Sequence, residues 1–257
     1  MPNALLVGLS RQTVLQRQLD IVANNIANLN TTGFKADSAA FSEYLASTAR
    51  AEQFASPDRR LSFVQDRATW HDMSQGTFQH TGNPFDVAID GDGMMVVQTA
   101  RGERYTRNGA LQINNRGELV TASGDRVMGE TGPIILQITD RDVIINKDGT
   151  VKVREGESLV SDTTRGKIRL VTFADAQRLQ KDGASTFKAP DDMAPQPLPD
   201  ARANVVQGSI ERSNVRSVME MTRMIALSRA YTDVATLLQQ QSEMRRNAIQ
   251  NLAEVPA

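Results

Sequence analysis

Residues 15–29 read Leu-Gln-Arg-Gln-Leu-Asp-Ile-Val-Ala-Asn-Asn-Ile-Ala-Asn-Leu. Leu15, Leu19, Val22, Ile26 and Leu29 follow one another at steps of 4, 3, 4 and 3, the spacing that gathers apolar side chains into one narrow stripe along a helix. Residues 9–32 contain neither glycine nor proline, so nothing in the local chemistry breaks that helix. A helical segment occupying residues 1–34 is expected.

The opposite end of the chain repeats the pattern at greater length. Between Gly208 and Pro256 glycine and proline are again missing, and Met221, Met224, Leu227, Tyr231, Val234 and Leu238 keep steps of 3 or 4. Asn214 or Ser217 is placed to cap this second helix, Ser217 with Glu220 three residues on as a capping box. Helices over residues 5–29 and 214–252 would run about 38 Å and about 58 Å. Rods of that length cannot lie along one small β domain, and each has only a thin apolar stripe. The expectation is that they pair with each other in a coiled-coil-like manner and with neighbouring subunits, order arriving with assembly. The eleven stripe residues are thus the candidate assembly interface. Met219 joins Met221 and Met224 in a short methionine run, which reads as helix packing before it reads as an adaptable groove.

Between the helices the periodicity changes from 3.6 to 2. Phe85, Val87 and Ile89 alternate with Asp86, Ala88 and Asp90, putting the aspartates on a solvent face, and Gly91-Asp92-Gly93 then turns the chain into a new strand at Met94. Asn108-Gly109, Arg116-Gly117, Ser123-Gly124 and Asp148-Gly149 continue the rhythm, Asn108-Gly109 as a type I′ hairpin with positive φ at both positions. The fold class expected is α+β: long terminal helices around a central antiparallel β-rich domain at 81–189. Residues 35–80 are patternless and read as an extended connection with one helix near Ser38 to Arg50. Four of the nine prolines fall between Pro190 and Pro199, marking 190–212 as a return connector to the helical segment 213–257.

Composition narrows the function. With 29 basic and 30 acidic residues the net charge is -1, too small a field to hold nucleic acid. The chain has no cysteine, which removes thiolate chemistry and disulfides. No apolar run is long enough for a membrane span, and the N-terminus lacks the basic flank and apolar block of a signal peptide. His71 and His80 stand nine apart without the i, i+4 pairing of a zinc helix. Asp90-Gly91-Asp92-Gly93 lacks the rest of a calcium loop, and no nucleophile elbow, P-loop or dinucleotide fingerprint occurs. Asp86, Asp90 and Asp92 could be imagined as glycosidase carboxylates, but charge on a solvent face is the simpler reading. No cofactor or metal is called for.

Specific strings then carry a resemblance. Val22-Ala23-Asn24-Asn25-Ile26-Ala27-Asn28 with Thr31-Thr32-Gly33-Phe34-Lys35 resembles the N-terminal signature of bacterial flagellar rod and hook proteins. Gly82-Asn83-Pro84-Phe85-Asp86 with Gly91-Asp92-Gly93, then Tyr105-Thr106-Arg107-Asn108-Gly109, looks like the family's central domain, and Gln207 to Val215, including Asn214, like the approach to its terminal helix. Asn24, Asn25 and Asn28 would bond free carbonyls at the helix end or a neighbouring subunit, and Gly33 would permit a turn. The resemblance implies a structural axial subunit without catalytic residues. It also implies export by the flagellar type III apparatus, and rod subunits and other basal-body proteins as partners. Val127 to Ile134 favours a proximal-rod type, with distal rod or hook as the alternative inside the family. A secreted β-rich carbohydrate binder or hydrolase is the alternative outside it.

Overall fold

The computed structural model describes residues 2–46, 61–137, 140–155, 162–183, 185–200, 202 and 204–253. The chain divides into two compact units, one made of Met1–Ile26, Asp37–Trp70 and Arg216–Ala257, the other of Ala27–Ala36 and His71–Val215.

The first unit contains both long helices. Helix α1 spans Pro2–Ala27 and helix α2 spans Ser217–Ala253. Proline at the first position of α1 costs nothing, because its missing N–H would have no intrahelical partner there. Ser217 is the first helical residue of α2, and the Glu220 amide donates to the Arg216 carbonyl (3.0 Å). The cap thus falls at Arg216, one residue before the expected Ser217, and the Glu220 carboxylate faces Asn25 instead of closing a capping box. The unit also holds a ribbon formed by strands Asp37–Ala46 and Leu61–His71. Here the helix expected near Ser38 to Arg50 is corrected, since Asp37–Ala46 is a strand. Its conformation is set by a partner more than a dozen residues away, which a local pattern cannot reveal; residues 47–50 lie outside the described residues.

The second unit is β structure. Its largest sheet runs in the order Gln180–Lys181, Thr186–Lys188, Gly102–Thr106, Met94–Thr99, Arg126–Val127, Leu119–Thr121 and Leu111–Ile113, with Leu170–Thr172 also joined to Met94–Thr99. Pairing is antiparallel throughout, including the separate sheet of Asp140–Ile145, Thr150–Glu155 and Asp162–Lys167. Met94 to Val97 reads as an unbroken apolar run because both faces of that strand are covered. Met95 and Val97 enter one core with Val87, Ile89, Leu119, Val127 and Ile168, while Met94 and Val96 enter a second with Tyr105, Phe173 and Phe187. Tyr105 and Phe173 meet edge to face at 4.8 Å.

Residues 190–212, read as a connector, supply three short strands. Gln196–Pro197 pairs with Leu170–Thr172, Val205–Gln207 with Val87–Ile89, and Ser209–Glu211 with Phe78–His80. Two further expectations are corrected here. Val87, Ala88 and Ile89 are all buried and so is Asp86, so no solvent face carries the aspartates. Neither Asn108 nor Gly109 has a positive φ, so the turn there is not type I′.

Candidate functional site

Three of the strings that carried the resemblance meet at one carboxylate. Glu211 is fully buried, as is Lys35, and Arg107 nearly so. The Lys35 ammonium donates to Glu211 Oε1 at 2.7 Å and to the Ser74 carbonyl at 2.6 Å. Arg107 Nη1 lies 3.2 Å from Glu211 Oε2, and its Nη2 donates to the Gly91 carbonyl. The Gly76 amide adds a bond to Oε1, and the Glu211 carbonyl receives the Gly33 amide at 2.8 Å. Burial pushes the Lys35 ammonium below the usual lysine range, and Glu211 opposes that shift. A charge pair so far from water holds only if every polar atom finds a partner, which the serine and glycine backbone groups provide.

Gly33 sits inside this clasp with φ of +67, and a Cβ there would run into the backbone of Arg107 and Asn108. Only glycine meets both demands. Phe34 is buried beside it with the Lys181 ammonium 3.7 Å from its ring centroid. Next along the chain, Asn83 and Thr81 donate to the Asp86 carboxylate at 3.0 and 2.7 Å, and Asn83 Oδ1 receives the Phe85 amide. The Gly82-Asn83-Pro84-Phe85-Asp86 string is thus a loop closed on its own buried aspartate. Gly82 and Gly91 take positive φ, whereas Gly93 is close to the Leu198 side chain.

Side-chain amides stand in for strand partners at three places. In the first unit, buried Asn25 donates to the Asp37 carbonyl and accepts from the Asp37 amide, both at 2.9 Å, which pins the start of the ribbon to α1. In the second, Asn214 accepts from the Ala36 amide (2.8 Å) and donates to the Asp72 carbonyl (2.8 Å). Gln207 treats Ile145 and Val143 the same way. Of the other asparagines in the first signature, Asn28 accepts from the Thr31 hydroxyl in the turn after α1, and Asn24 is exposed.

Within the first unit, α1 and α2 touch at Asn25–Glu220 (3.4 Å), Gln12–Tyr231 (3.1 Å) and Gly8–Leu238, where a Cβ on Gly8 would come within 2.5 Å of Leu238. The partners advance in opposite directions along the two helices. On α1, Leu15 and Val22 are buried while Leu19 and Ile26 are half-buried; Leu29 lies in the turn beyond the helix. On α2, Leu227, Tyr231, Val234 and Leu238 are half-buried, but Met221 and Met224 are exposed. A second apolar set stands in solvent, including Val218 (75% exposed) and Ile225 (55%).

Lys35, Arg107 and Glu211 were not singled out by spacing, and no local pattern could do so: 176 residues separate Lys35 from Glu211. Their only signal was membership in the quoted strings. His71 is buried edge-on against Phe187 at 5.4 Å, and His80 lies beside the Ser209 hydroxyl. Among the described residues no cluster of three His, Asp or Glu side chains could hold a metal ion, and no helix is long and apolar enough to cross a membrane.

Two long helices in contact, a further apolar set exposed on one of them, and a β unit locked by buried charges are what a structural subunit would show. The comparisons specify which. The flagella basal body rod protein model matches residues 5–35, the flagellar hook protein FlgE/F/G D1 domain model residues 88–153, and the flagellar basal body rod FlgEFG protein C-terminal model residues 206–251. The chain is 40% identical to the flagellar basal-body rod protein FlgF of Caulobacter vibrioides, over 99% of this chain and 100% of the relative. It is 33% identical to FlgF of Mesorhizobium japonicum over 98% of each, and 30% identical to FlgG of Bacillus subtilis over 97% and 98%. The chain belongs to the flagellar basal-body rod proteins. Its likeness within them is of the FlgF type, and its work is that of a structural, non-enzymatic subunit of the basal body.

Proposed function

We propose that this chain polymerises through α1 and α2 into the rod that crosses the periplasm as a drive shaft. On this reading residues 1–34 and 213–257 form the inner tube and residues 35–80 and 190–212 connect it to the β-rich domain at 81–189. The observation that carries the proposal is the two-sided apolar character of α2. Leu227, Tyr231, Val234 and Leu238 form the half-buried side, while Val218, Met221 and Ile225 stand exposed near its start. Exposed apolar side chains clustered on one helix mark a surface that another protein covers. The occupants are other rod subunits, together with adjacent basal-body proteins at the ends of the rod. Within each subunit the helices would pair as a short antiparallel coiled coil, and the asparagines of the first signature would fix its register. Delivery would be by the flagellar type III apparatus.

Leu238→Glu tests this. A charge against Gly8 in a packed helical contact must be desolvated, and a polymer repeats that cost at every subunit. Cells carrying the variant should not swim, while thermal unfolding of the β unit in the purified chain stays at the wild-type temperature. Normal swimming would show that the stripe is no assembly surface.

A further inference from the structure

Residues 204–214 contribute to no strand of the largest sheet, yet they hold together much of what surrounds it. Among the described residues strand Phe78–His80 pairs only with Ser209–Glu211. Strand Val87–Ile89 pairs with Val205–Gln207, and beyond that ladder the Val87 amide donates to the Gly109 carbonyl and the Gln75 side chain to the Ile89 carbonyl. Asn204 bonds Asp90 twice, once through its side chain (2.7 Å) and once through its carbonyl (2.8 Å). The Gly208 carbonyl receives the Thr81 amide, and the Arg212 amide donates to Thr77. Glu211 is the carboxylate that Lys35 and Arg107 share, and Asn214 holds Ala36 and Asp72. The strands Met94–Thr99, Gly102–Thr106, Leu119–Thr121, Arg126–Val127 and Leu170–Thr172, by contrast, pair among themselves.

We infer that residues 204–214 form a strap that opens as one cooperative piece with residues 33–36 and 76–90, while the large sheet stays closed. The reason is connectivity. Every bond and ion pair just named that involves residues 204–214 is lost when the strap leaves, and none of the large sheet's own ladders is touched. Glu211 makes the opening all-or-none, because Lys35 and Arg107 cannot remain buried without a counter-charge. Segment 33–36, which the strap secures, follows α1, and the strap's own end runs on through residues 215–216 into α2. The strap is therefore what holds residues 33–36 in the β unit, through bonds that the large sheet's own ladders do not share. This inference goes beyond the assembly role proposed above, and the measurement below does not depend on it.

Native-state hydrogen exchange read by mass spectrometry on the full chain decides the matter. As denaturant rises below the unfolding transition, peptides covering 30–36, 76–90 and 204–214 should reach one shared opening isotherm. Peptides covering 94–106, 119–127 and 170–173 should exchange only through global unfolding. Glu211→Gln should speed exchange in the first group by about 100-fold or more, the cost of stranding buried cations, and leave the second group unchanged. Lys35→Met combined with Glu211→Gln should recover part of that protection, since it removes one of the two stranded cations. The inference is overturned if both groups share one isotherm, if 204–214 opens while 78–80 and 87–89 stay protected, or if Glu211→Gln strips protection from both groups.

Discussion

Gly109 lies directly against Val87: the Val87 amide donates to the Gly109 carbonyl at 2.9 Å, and a Cβ on Gly109 would fall well inside contact distance of the Val87 carbonyl oxygen. Glycine is needed here for closeness of backbones, not for a left-handed φ. Backbone cannot step aside as a flexible side chain can, so Gly109→Ala should destabilise the β unit by about 3 kcal/mol, the upper end of overpacking costs. A melting curve indistinguishable from wild type would refute this. Asn108→Ala, which removes only the side-chain bond to the Ala110 amide, should cost about 1 kcal/mol.

Asn25 grips Asp37 by donating to its carbonyl and accepting from its amide. Aspartate has the same shape but no donor. Asn25→Asp should therefore remove the bond to the Asp37 carbonyl and place a charge facing Glu220, costing about 1–3 kcal/mol. The loss should appear as faster exchange of the Asp37 amide, and a protection factor equal to wild type would show that the grip contributes nothing.

Asp140 receives two bonds from Arg165, at 2.8 and 2.5 Å, and its side chain is almost wholly buried. Hydrogen bonding from Arg165 holds its carboxyl below the usual carboxylate range. The sign follows: a depressed folded pKa gives stability that is complete above the unfolded value of about 4 and is lost as pH falls through the folded value. The sheet containing Asp140–Ile145 should thus loosen at pH below about 4. Asp140→Asn should lower stability at neutral pH and flatten that acid limb. An equally steep limb in the variant would assign the acid sensitivity to other carboxylates.

Ile225 is 55% exposed in the subunit, so Ile225→Lys should change subunit stability by no more than about 0.5 kcal/mol. If α2 is covered in the rod, the same lysine must lose its water at every repeat. We expect a soluble, normally folded chain that fails to restore swimming to cells lacking the wild-type copy. Full restoration would exclude this face from the interface.

The helices were legible because their information is local: steps of 3 and 4 from Leu15 to Ile26 and from Met221 to Leu238, with nothing to break the backbone. The strand that begins at Met94 was legible for the same reason. What escaped was set by distant partners. Asp86 looked exposed by alternation, but Thr81, Asn83 and the strand at Val205–Gln207 enclose it. Residues 37–46 form a strand because Asn25 and residues 61–71 make them one. The Asn-Gly pair at 108–109 suggested a turn type, whereas its glycine answers to Val87, more than 20 residues earlier. The clasp of Lys35, Arg107 and Glu211 exists only after three separate parts of the chain have met.

The division of the chain has a practical corollary. Both termini belong to the helical unit, and the run from His71 to Val215 is one uninterrupted excursion out of it and back. Extra sequence placed on an outer turn of that excursion leaves the helices' own sequence and spacing unaltered. The turn at Ser123 and Gly124 is exposed, and nothing lies within 4 Å of where a Cβ on Gly124 would sit. It is a natural port for a tag or a fluorescent domain, through which single subunits could be followed into the rod.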